Sequence, residues 1–300
     1  MKEAATELRT IRSISADMRR TLRAAGIESV DQESIWLLGH ALHLSALQQS
    51  LHPERVLTDS EWEKARSLTG RRAAREPLQY ILGSQEFYGL EFEVDPTVLI
   101  PRPETQLLPK AVIRRLPPRD RYLILDVGTG SGCLAIILAR AIPHATILAT
   151  DISTAALQTA RKNARRHGVD SGVKWLQGDL LEPVAGMNLE GKVDAIVSNP
   201  PYISESEWQT LQPEVRLYEP RTALVAGPDG TEMHERLLEA VPNYLRPGGF
   251  LVMELGQGQS ARLQKAIYRN GAYQSAEIIC DDAGIDRIVI ADRARTDVRG

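Results

Sequence analysis

The chain has 300 residues, of which 43% are hydrophobic, and this allows one large domain or two ordinary domains with packed cores. Its formal net charge of −3 provides no global basic field, which argues against a DNA or RNA substrate without excluding one. Two cysteines suggest no disulfide framework, the histidines show no metal-ligand spacing, and no apolar run approaches the roughly 18 residues of a membrane span, so we expect a cytoplasmic protein without a metal.

Residues 1–83 predict a small bundle of helices. Apolar residues recur there at helical spacing, and helices with short connections pack as a bundle, so we interpret this part as a separate domain. The end of its long last helix carries Arg71, Arg72 and Arg75. These arginines indicate either a favourable interaction with the negative end of the helix dipole or a contact with a partner, and the sequence favours the first.

Residues 84–104 predict a β-hairpin that links the two domains. Apolar and polar residues alternate there, as they do in half-buried strands. Pro101 and Pro103 stiffen the end of this linker, and a helix can begin after them. We interpret residues 105–300 as the second domain.

From residue 121 onward, apolar segments with the length of strands alternate with helical segments. The seven predicted strands are 122–126, 145–151, 173–177, 195–198, 250–254, 274–280 and 287–291. This alternation predicts an α/β fold with a doubly wound, mostly parallel sheet and right-handed crossovers. Only a short turn separates the last two strands, so we expect that pair to be antiparallel.

The first strand of this sheet ends in Asp126 and leads into a glycine-rich turn. The turn is Gly128-Thr129-Gly130-Ser131-Gly132, and glycines at alternate positions let a backbone turn tightly and approach a ligand closely. It matches neither the dinucleotide pattern Gly-x-Gly-x-x-Gly nor a phosphate-binding loop, which would need Lys-Ser/Thr. The next strand ends in Asp151, about 20 residues after the glycines, where an acidic side chain can bind ribose hydroxyls.

The fourth strand stops abruptly at Asn199-Pro200-Pro201-Tyr202. Two consecutive prolines cannot continue a central strand, so this corner lies at the carboxyl edge of the sheet, where open α/β sheets bind ligands. The Asn199 amide oxygen and the Pro200 carbonyl are acceptors that suit a planar NH2 group, and Tyr202 can lie against the amide or base that carries it. The alternative is an ordinary strand-ending turn, because Asn-Pro is common in turns.

Together these motifs resemble the class I S-adenosylmethionine-dependent methyltransferases that modify NH2 nitrogens. More narrowly, the chain is similar to the release factor glutamine methyltransferase family (HemK/PrmC). Three further stretches carry the narrower resemblance, namely 75–83, 99–105 and 219–224. Members of that family methylate the side-chain amide of the glutamine in the Gly-Gly-Gln motif of class I peptide release factors. The resemblance covers nearly the whole chain and is weakest over the N-terminal helices.

The resemblance implies an S-adenosylmethionine site at the carboxyl edge of the sheet. The glycine turn corresponds to the site of the methionine end, Asp151 to that of the ribose, and Asp179 with Leu180 to that of the adenine. The cofactor-binding residues are expected to be Asp126, Gly128, Thr129, Gly130, Ser131, Gly132, Asp151, Asp179, Leu180 and Asn199. The catalytic residues are expected to be Asn199, Pro200 and Tyr202, and substrate binding adds Pro201.

The resemblance also implies a partner and a division of labour between the domains. Class I release factors are the expected substrate, the helical domain is expected to recognise them, and the chain is expected to act as a monomer. Glu219 is interpreted as part of a loop that shapes the substrate entrance. Gln106 stands where the family usually has an acidic residue, so a charge-based role at that position is in doubt.

Two other functions remain open at this point. The Asn-Pro-Pro-aromatic corner also suits an exocyclic amine of a DNA or RNA base that is flipped out of its stack. Such an enzyme needs a basic groove, and the acidic balance of the chain speaks against one. A non-catalytic scaffold that keeps the fold is the second alternative, and titration with the cofactor would distinguish it.

Overall fold

The computed structural model describes residues 9–117 and 121–295, which form two compact units. The first unit consists of the residues up to Gly83 together with a later segment, Gln212–Tyr218. The second unit contains Ser84–Leu211 and the chain from Glu219 onward. The segment 212–218 therefore belongs to a different unit from the residues on either side of it.

The first unit is helical, and its apolar side chains form one core. Its helices are α1 (Ile11–Ala24), α2 (Val30–Leu42), α3 (Ala46–Leu51), α4 (Asp59–Ala73), α5 (Leu78–Leu82) and, from the later segment, α10 (Pro213–Tyr218). Capping boxes at Thr10, Ser45 and Thr58 satisfy the first free amides of α1, α3 and α4. The centre of the core is fully buried and includes Ile14, Leu22 and Leu37.

A cluster of ion pairs holds the late segment on the first unit. The Arg72 guanidinium of α4 donates to Glu33 of α2 at 2.6 Å and to Glu214 of α10 at 2.9 Å. Arg75 donates to the second oxygen of Glu214 at 2.7 Å, and Tyr218 donates to the Ala74 carbonyl at 2.7 Å. These ion pairs lie outside both interpretations of the arginines that the sequence offered.

The second unit combines helices with a large sheet and a hairpin. Its helices are α6 (Leu107–Arg115), α7 (Cys133–Ala141), α8 (Thr154–Arg166), α9 (Glu205–Trp208), α11 (Glu232–Ala240) and α12 (Ser260–Asn270). Its strands are β1 (Ser84–Phe87), β2 (Leu90–Glu93), β3 (Tyr122–Val127), β4 (Ala145–Asp151), β5 (Val173–Gln177), β6 (Val193–Ser198), β7 (Ile203–Ser204), β8 (Val225–Gly227), β9 (Leu245–Glu254), β10 (Tyr273–Cys280) and β11 (Asp286–Arg293).

Within the described residues, the large sheet has seven strands in the order β10-β11-β9-β6-β3-β4-β5. The five strands from β9 to β5 are parallel, and β11 runs antiparallel to both of its neighbours. This confirms the predicted fold class, including the antiparallel last pair. Strand β9 begins at Leu245 rather than at 250, and the short parallel pair β7–β8 was not predicted. Two or three residues are too few to show an alternating pattern.

The hairpin β1–β2 packs within the second unit. Phe87 and Phe92 are buried and meet edge to face, with ring centroids 6.2 Å apart. The Asn163 side chain of α8 accepts from the Glu93 amide at 2.7 Å and donates to the Glu93 carbonyl at 3.0 Å. It thereby continues the backbone hydrogen bonding of β2 onto a helix.

The register of the sheet decides which side chains meet at its carboxyl edge. Val127 of β3 lies opposite Ser198 of β6, and Ser198 lies opposite Met253 of β9. The residues that follow these positions, Gly128, Asn199 and Glu254, therefore end three neighbouring strands at the same edge. Ligands of open α/β sheets bind at this edge.

Candidate active site

A cavity of about 310 Å³ opens at the carboxyl edge of the sheet. This volume is at the small end of the usual range for small-molecule sites. The cavity is lined by ten of the residues that the sequence predicted for the site: Gly128, Thr129, Gly130, Ser131, Asp151, Asp179, Leu180, Asn199, Pro200 and Pro201. Three other predicted residues, Asp126, Gly132 and Tyr202, are not part of this lining.

Gly132 packs two helices together. It is the N-cap of α7 with φ +81°, and a Cβ built on it would lie 2.9 Å from the Ala160 Cβ of α8. A side chain therefore meets both a strained backbone and a neighbouring helix. By contrast, a Cβ on Gly128 or Gly130 would have no atom within 4 Å, so these two glycines leave open space in front of the turn.

Gly132→Ala is expected to lower the free energy of unfolding by about 1–3 kcal/mol, because the added methyl group forces α7 and α8 apart. The matched control is Gly168→Ala, since Gly168 has a similar φ of +71° and nothing within 4 Å of an added Cβ. Denaturant unfolding of the two variants separates the clash from the backbone strain. Equal losses in both variants would contradict the packing role.

Asp126 organises the glycine turn from beneath. Its buried carboxylate accepts from the Thr129 hydroxyl at 2.6 Å and from the Ala135 amide in the first turn of α7 at 3.1 Å. Its Oδ1 has no hydrogen-bond partner among the described residues. Burial raises the pKa of Asp126 to about 7 despite these two hydrogen bonds. A positively charged ligand group beside the turn would stabilise the carboxylate.

Asp151 ties the turn to the end of β4. One of its oxygens accepts from the Gly130 amide at 2.8 Å and the other from the Ser153 amide at 2.9 Å. Burial raises the pKa of this carboxyl group, against the effect of the two amides. The carboxylate lines the cavity with unused lone pairs, so it can accept further hydrogen bonds from ligand hydroxyls.

Asp179 and Leu180 form the cavity wall after β5. An Asp179 oxygen accepts from Arg236 at 2.5 Å, so this carboxylate is partly engaged within the protein. Leu180 has φ +46°, and its carbonyl accepts from the Thr150 hydroxyl at 2.8 Å. A left-handed conformation in a non-glycine residue is costly and is common at functional sites.

The Asn199 corner is held by a chain of hydrogen bonds that runs through the buried side chains of Thr105 and Glu254. The Asn199 amide donates to the Thr105 hydroxyl at 3.3 Å, and this hydroxyl donates to Glu254 at 2.6 Å. The Tyr202 hydroxyl donates to the other Glu254 oxygen at 3.2 Å, and Tyr202 is not among the residues that line the cavity. Burial raises the pKa of Glu254 to about 7 and also raises the pKa of Tyr202.

Glu254 was not among the predicted site residues, and Thr105 was included only in the stretch 99–105 that carries the family resemblance and precedes a helix. In the sequence, Glu254 is a polar residue at the end of an apolar strand. Only the position of β9 beside β6 in the sheet brings it close to Asn199. The available signal was a carboxylate at the end of a strand buried on both faces, where charged residues are rare.

Glu219 lies buried beneath the stretch that leads into α6. It accepts from the Ile100 amide at 3.3 Å and pairs with Arg102. Leu99 and Pro101 of this stretch and Pro220 line the cavity, so Glu219 joins two parts of its wall. That the Glu219 loop shapes the substrate entrance stays a prediction.

Two further features limit the chemistry of the cavity. Burial raises the pKa of Cys133 to about 12, so its thiol is not activated as a nucleophile. In the two described ranges, no cluster of histidine, cysteine and carboxylate side chains could hold a metal ion.

No helix in the described part of the chain is long and apolar enough to cross a membrane.

Comparisons with known proteins cover both units. Residues 14–83 match the family model of the PrmC N-terminal domain, and residues 105–215 match that of the methyltransferase small domain. A release factor glutamine methyltransferase from Geobacter sulfurreducens is 42% identical over 94% of this chain and 96% of its own length. A release factor glutamine methyltransferase from Moorella thermoacetica is 42% identical over 95% of this chain and 99% of its own.

Solved structures with little sequence identity share the fold. The catalytic domain of human METTL16, in complex with a MAT2A 3′UTR hairpin, has a TM-score of 0.54 at 17% identity and covers 82% of this chain and 85% of its own. The N-terminal domain of human METTL16 in complex with SAH has a TM-score of 0.50 at 18% identity, with 82% and 86% covered. At this identity the likeness concerns the fold alone.

Proposed function

Because this chain belongs to the release factor glutamine methyltransferase family, we propose that it transfers a methyl group from S-adenosylmethionine to the side-chain amide nitrogen of a glutamine in a peptide chain release factor. The observation that supports this most directly is the pair of acceptors at the Asn199 corner. The Asn199 amide nitrogen is engaged by Thr105, so its Oδ1 is left as one acceptor, and the carbonyl of the next residue, Pro200, is the other. Both residues line the cavity that also contains the glycine turn.

The residues around the cavity fit S-adenosylmethionine. The Oδ1 of Asp126 has no partner among the described residues, and a cationic group near the turn, as the ammonium of the methionine end would be, would stabilise the carboxylate against the cost of its burial. Asp151 offers acceptors for ribose hydroxyls, and the open space in front of Gly128 and Gly130 admits a ligand close to the backbone. Leu180 supplies an apolar surface for a flat ring. When bound, this cofactor supplies a methyl group on a positively charged sulfur.

The protein has to overcome the weak nucleophilicity of an amide nitrogen, whose lone pair is delocalised into the carbonyl. Two acceptors, the Asn199 Oδ1 and the Pro200 carbonyl, bind the two hydrogens of the substrate NH2 group. They favour a pyramidal nitrogen and turn its lone pair toward the cofactor side of the cavity. The contribution is positioning and preorganised electrostatics rather than removal of a proton by a general base.

We propose in addition that the substrate glutamine is that of the Gly-Gly-Gln motif in class I release factors. The match of residues 14–83 to the PrmC N-terminal domain supports assigning substrate recognition to the first unit. Release factors act in translation termination, so the proposed place of action is the cytoplasm. The chain is proposed to work as a monomer.

Mass spectrometry tests this function directly. A release factor incubated with the protein and S-adenosylmethionine is expected to gain one methyl group on the glutamine of Gly-Gly-Gln. A release factor with Asn in place of that Gln is the control and should gain none. No methylation, despite measurable cofactor binding, would overturn the proposal and turn attention to ribosomal RNA and DNA.

A further inference from the structure

We propose that Glu254 and Thr105 are positioning residues that fix the orientation of the Asn199 carboxamide. This inference rests on the proposed function, because it concerns how the same corner binds the substrate NH2 group. Neither residue has to touch the substrate for this role. They act through the side chain of Asn199.

Glu254 is a hydrogen-bond acceptor in the protein interior, where few charged groups are found. It is 3% exposed and ends β9, next to the end of β6 that carries Asn199. Its two oxygens accept from two different hydroxyls, those of Thr105 and Tyr202. In its ionised form a carboxylate can only accept, so both hydroxyls have to donate their protons to it.

The hydroxyl proton of Thr105 determines which end of the Asn199 carboxamide faces Thr105. Thr105 is 2% exposed, and its hydroxyl proton is committed to Glu254 across 2.6 Å. Toward Asn199 the hydroxyl therefore presents only lone pairs, and a lone pair accepts from an NH2 group and repels a carbonyl oxygen. The carboxamide is held with Nδ2 toward Thr105 and Oδ1 on the opposite side.

This orientation matters because the two ends of a carboxamide have nearly the same shape. Rotation of Asn199 by 180° would exchange its acceptor for an NH2 donor at little steric cost. The rotated Asn199 would place hydrogens against the hydrogens of the substrate NH2 group. Pro200 would then be the remaining acceptor of the pair. The carboxylate thus excludes an unproductive form of the site without contacting the substrate.

Glu254 also restrains the far end of the same corner. The Tyr202 hydroxyl donates to it, and the Tyr202 carbonyl accepts from the Gln259 side chain at 2.8 Å. A Cβ on Gly256 would lie 3.2 Å from the Tyr202 ring, so the ring packs closely against the loop after β9. One carboxylate therefore holds the corner at Asn199 and at Tyr202.

The test uses Thr105→Val and Thr105→Ser, assayed at about pH 8 so that Glu254 is ionised. Valine keeps the shape of threonine but removes the hydroxyl, and we expect kcat to fall roughly 10- to 100-fold while the Kd for S-adenosylmethionine changes less than about twofold. Serine restores the hydroxyl and should return kcat to within about threefold of the wild type. Thr146→Val, at an exposed position of β4, is the matched control for the substitution itself.

The outcomes separate this inference from the proposed function. If the wild type methylates the release factor and Thr105→Val has wild-type kcat, the positioning role is wrong and the function stands. Equal losses in the valine and serine variants would also overturn it, because packing alone would then explain them. If the wild type does not methylate, the proposed function fails first.

Glu254→Gln provides a second test should the valine variant unfold. A glutamine has one acceptor oxygen and one NH2 group, so at least one of the two hydroxyls loses its acceptor. We expect a folded protein, shown by an unchanged Tm within about 3 °C, with kcat reduced at least about fivefold and cofactor affinity retained. Wild-type kcat in this variant would overturn the inference.

Discussion

Asn199→Ala is expected to lower kcat/KM on the order of 100-fold or more while the affinity for S-adenosylmethionine stays nearly unchanged. The alanine removes the Oδ1 acceptor beside the Pro200 carbonyl, so one hydrogen of the substrate NH2 group loses its partner. The turn and Asp151, which line the cavity where the cofactor is proposed to bind, keep their own hydrogen bonds in this variant. Steady-state methylation assays give kcat/KM, and calorimetric titration gives the cofactor Kd.

The same measurements can contradict the assignment of Asn199 to the substrate rather than to the cofactor. A loss of cofactor binding as large as the loss of kcat/KM would assign Asn199 to the cofactor instead of the substrate. Asn243→Ala is the matched control, because Asn243 is an exposed asparagine in the same unit, away from the cavity lining. It should behave as the wild type in both measurements.

Arg72→Ala is expected to destabilise the helical unit by about 3–5 kcal/mol, the usual cost of breaking a buried ion pair by removing one partner. The Arg72 side chain is only 9% exposed, and its removal leaves the carboxylates of Glu33 and Glu214 close together without their shared cation. Hydrogen exchange of the α4 amides measures the loss in this unit alone. A global unfolding measurement would combine the loss of stability in the helical unit with the stability of the sheet unit.

The control for Arg72 lies one residue earlier on the same helix. Arg71 pairs with Glu76 at the surface, and Arg71→Ala should cost no more than about 1 kcal/mol. A similar loss in both variants would show that α4 depends on its helix-ending charges and not on the buried cluster.

The cluster also makes the helical unit sensitive to acid. Burial alone would raise the pKa of Glu214, but hydrogen bonds from Arg75 and Arg72 outweigh burial and lower it from the model-peptide value of 4.5. A carboxyl group with a lowered folded-state pKa stabilises the fold above its unfolded pKa. This contribution is therefore fully present above about pH 5 and is lost as the pH falls through the folded-state pKa.

Local chemistry made much of the second unit predictable. The apolar runs of β3 and β6, the glycine turn after Asp126 and the two prolines after Asn199 each act within a few residues of chain. In the structure the turn and the Asn199 corner line one cavity, because parallel strands bring their carboxyl ends to one edge.

Features that depend on distant pairing were not predictable in the same way. Glu254 follows Thr105 by 149 positions, and its place at the end of an apolar strand does not specify that its partners are Thr105 and Tyr202. The pair of Arg72 and Glu214 spans 142 positions, so the arginines could only be interpreted from their own helix. Local patterns do not specify which carboxylate a buried cation will meet.

The completion of the helical unit by residues 212–218 has a consequence for the order of events on the ribosome. Domains generally fold in the order of their synthesis, at about 5–20 residues per second. Glu214 is synthesised 142 residues after Arg72, which corresponds to roughly 7–28 s at that rate. During this interval Arg72 and Arg75 lack their ion-pair partner Glu214, while the strands from β3 to β6 are synthesised. The domain that starts first is therefore finished only after the glycine turn and the Asn199 corner have left the ribosome.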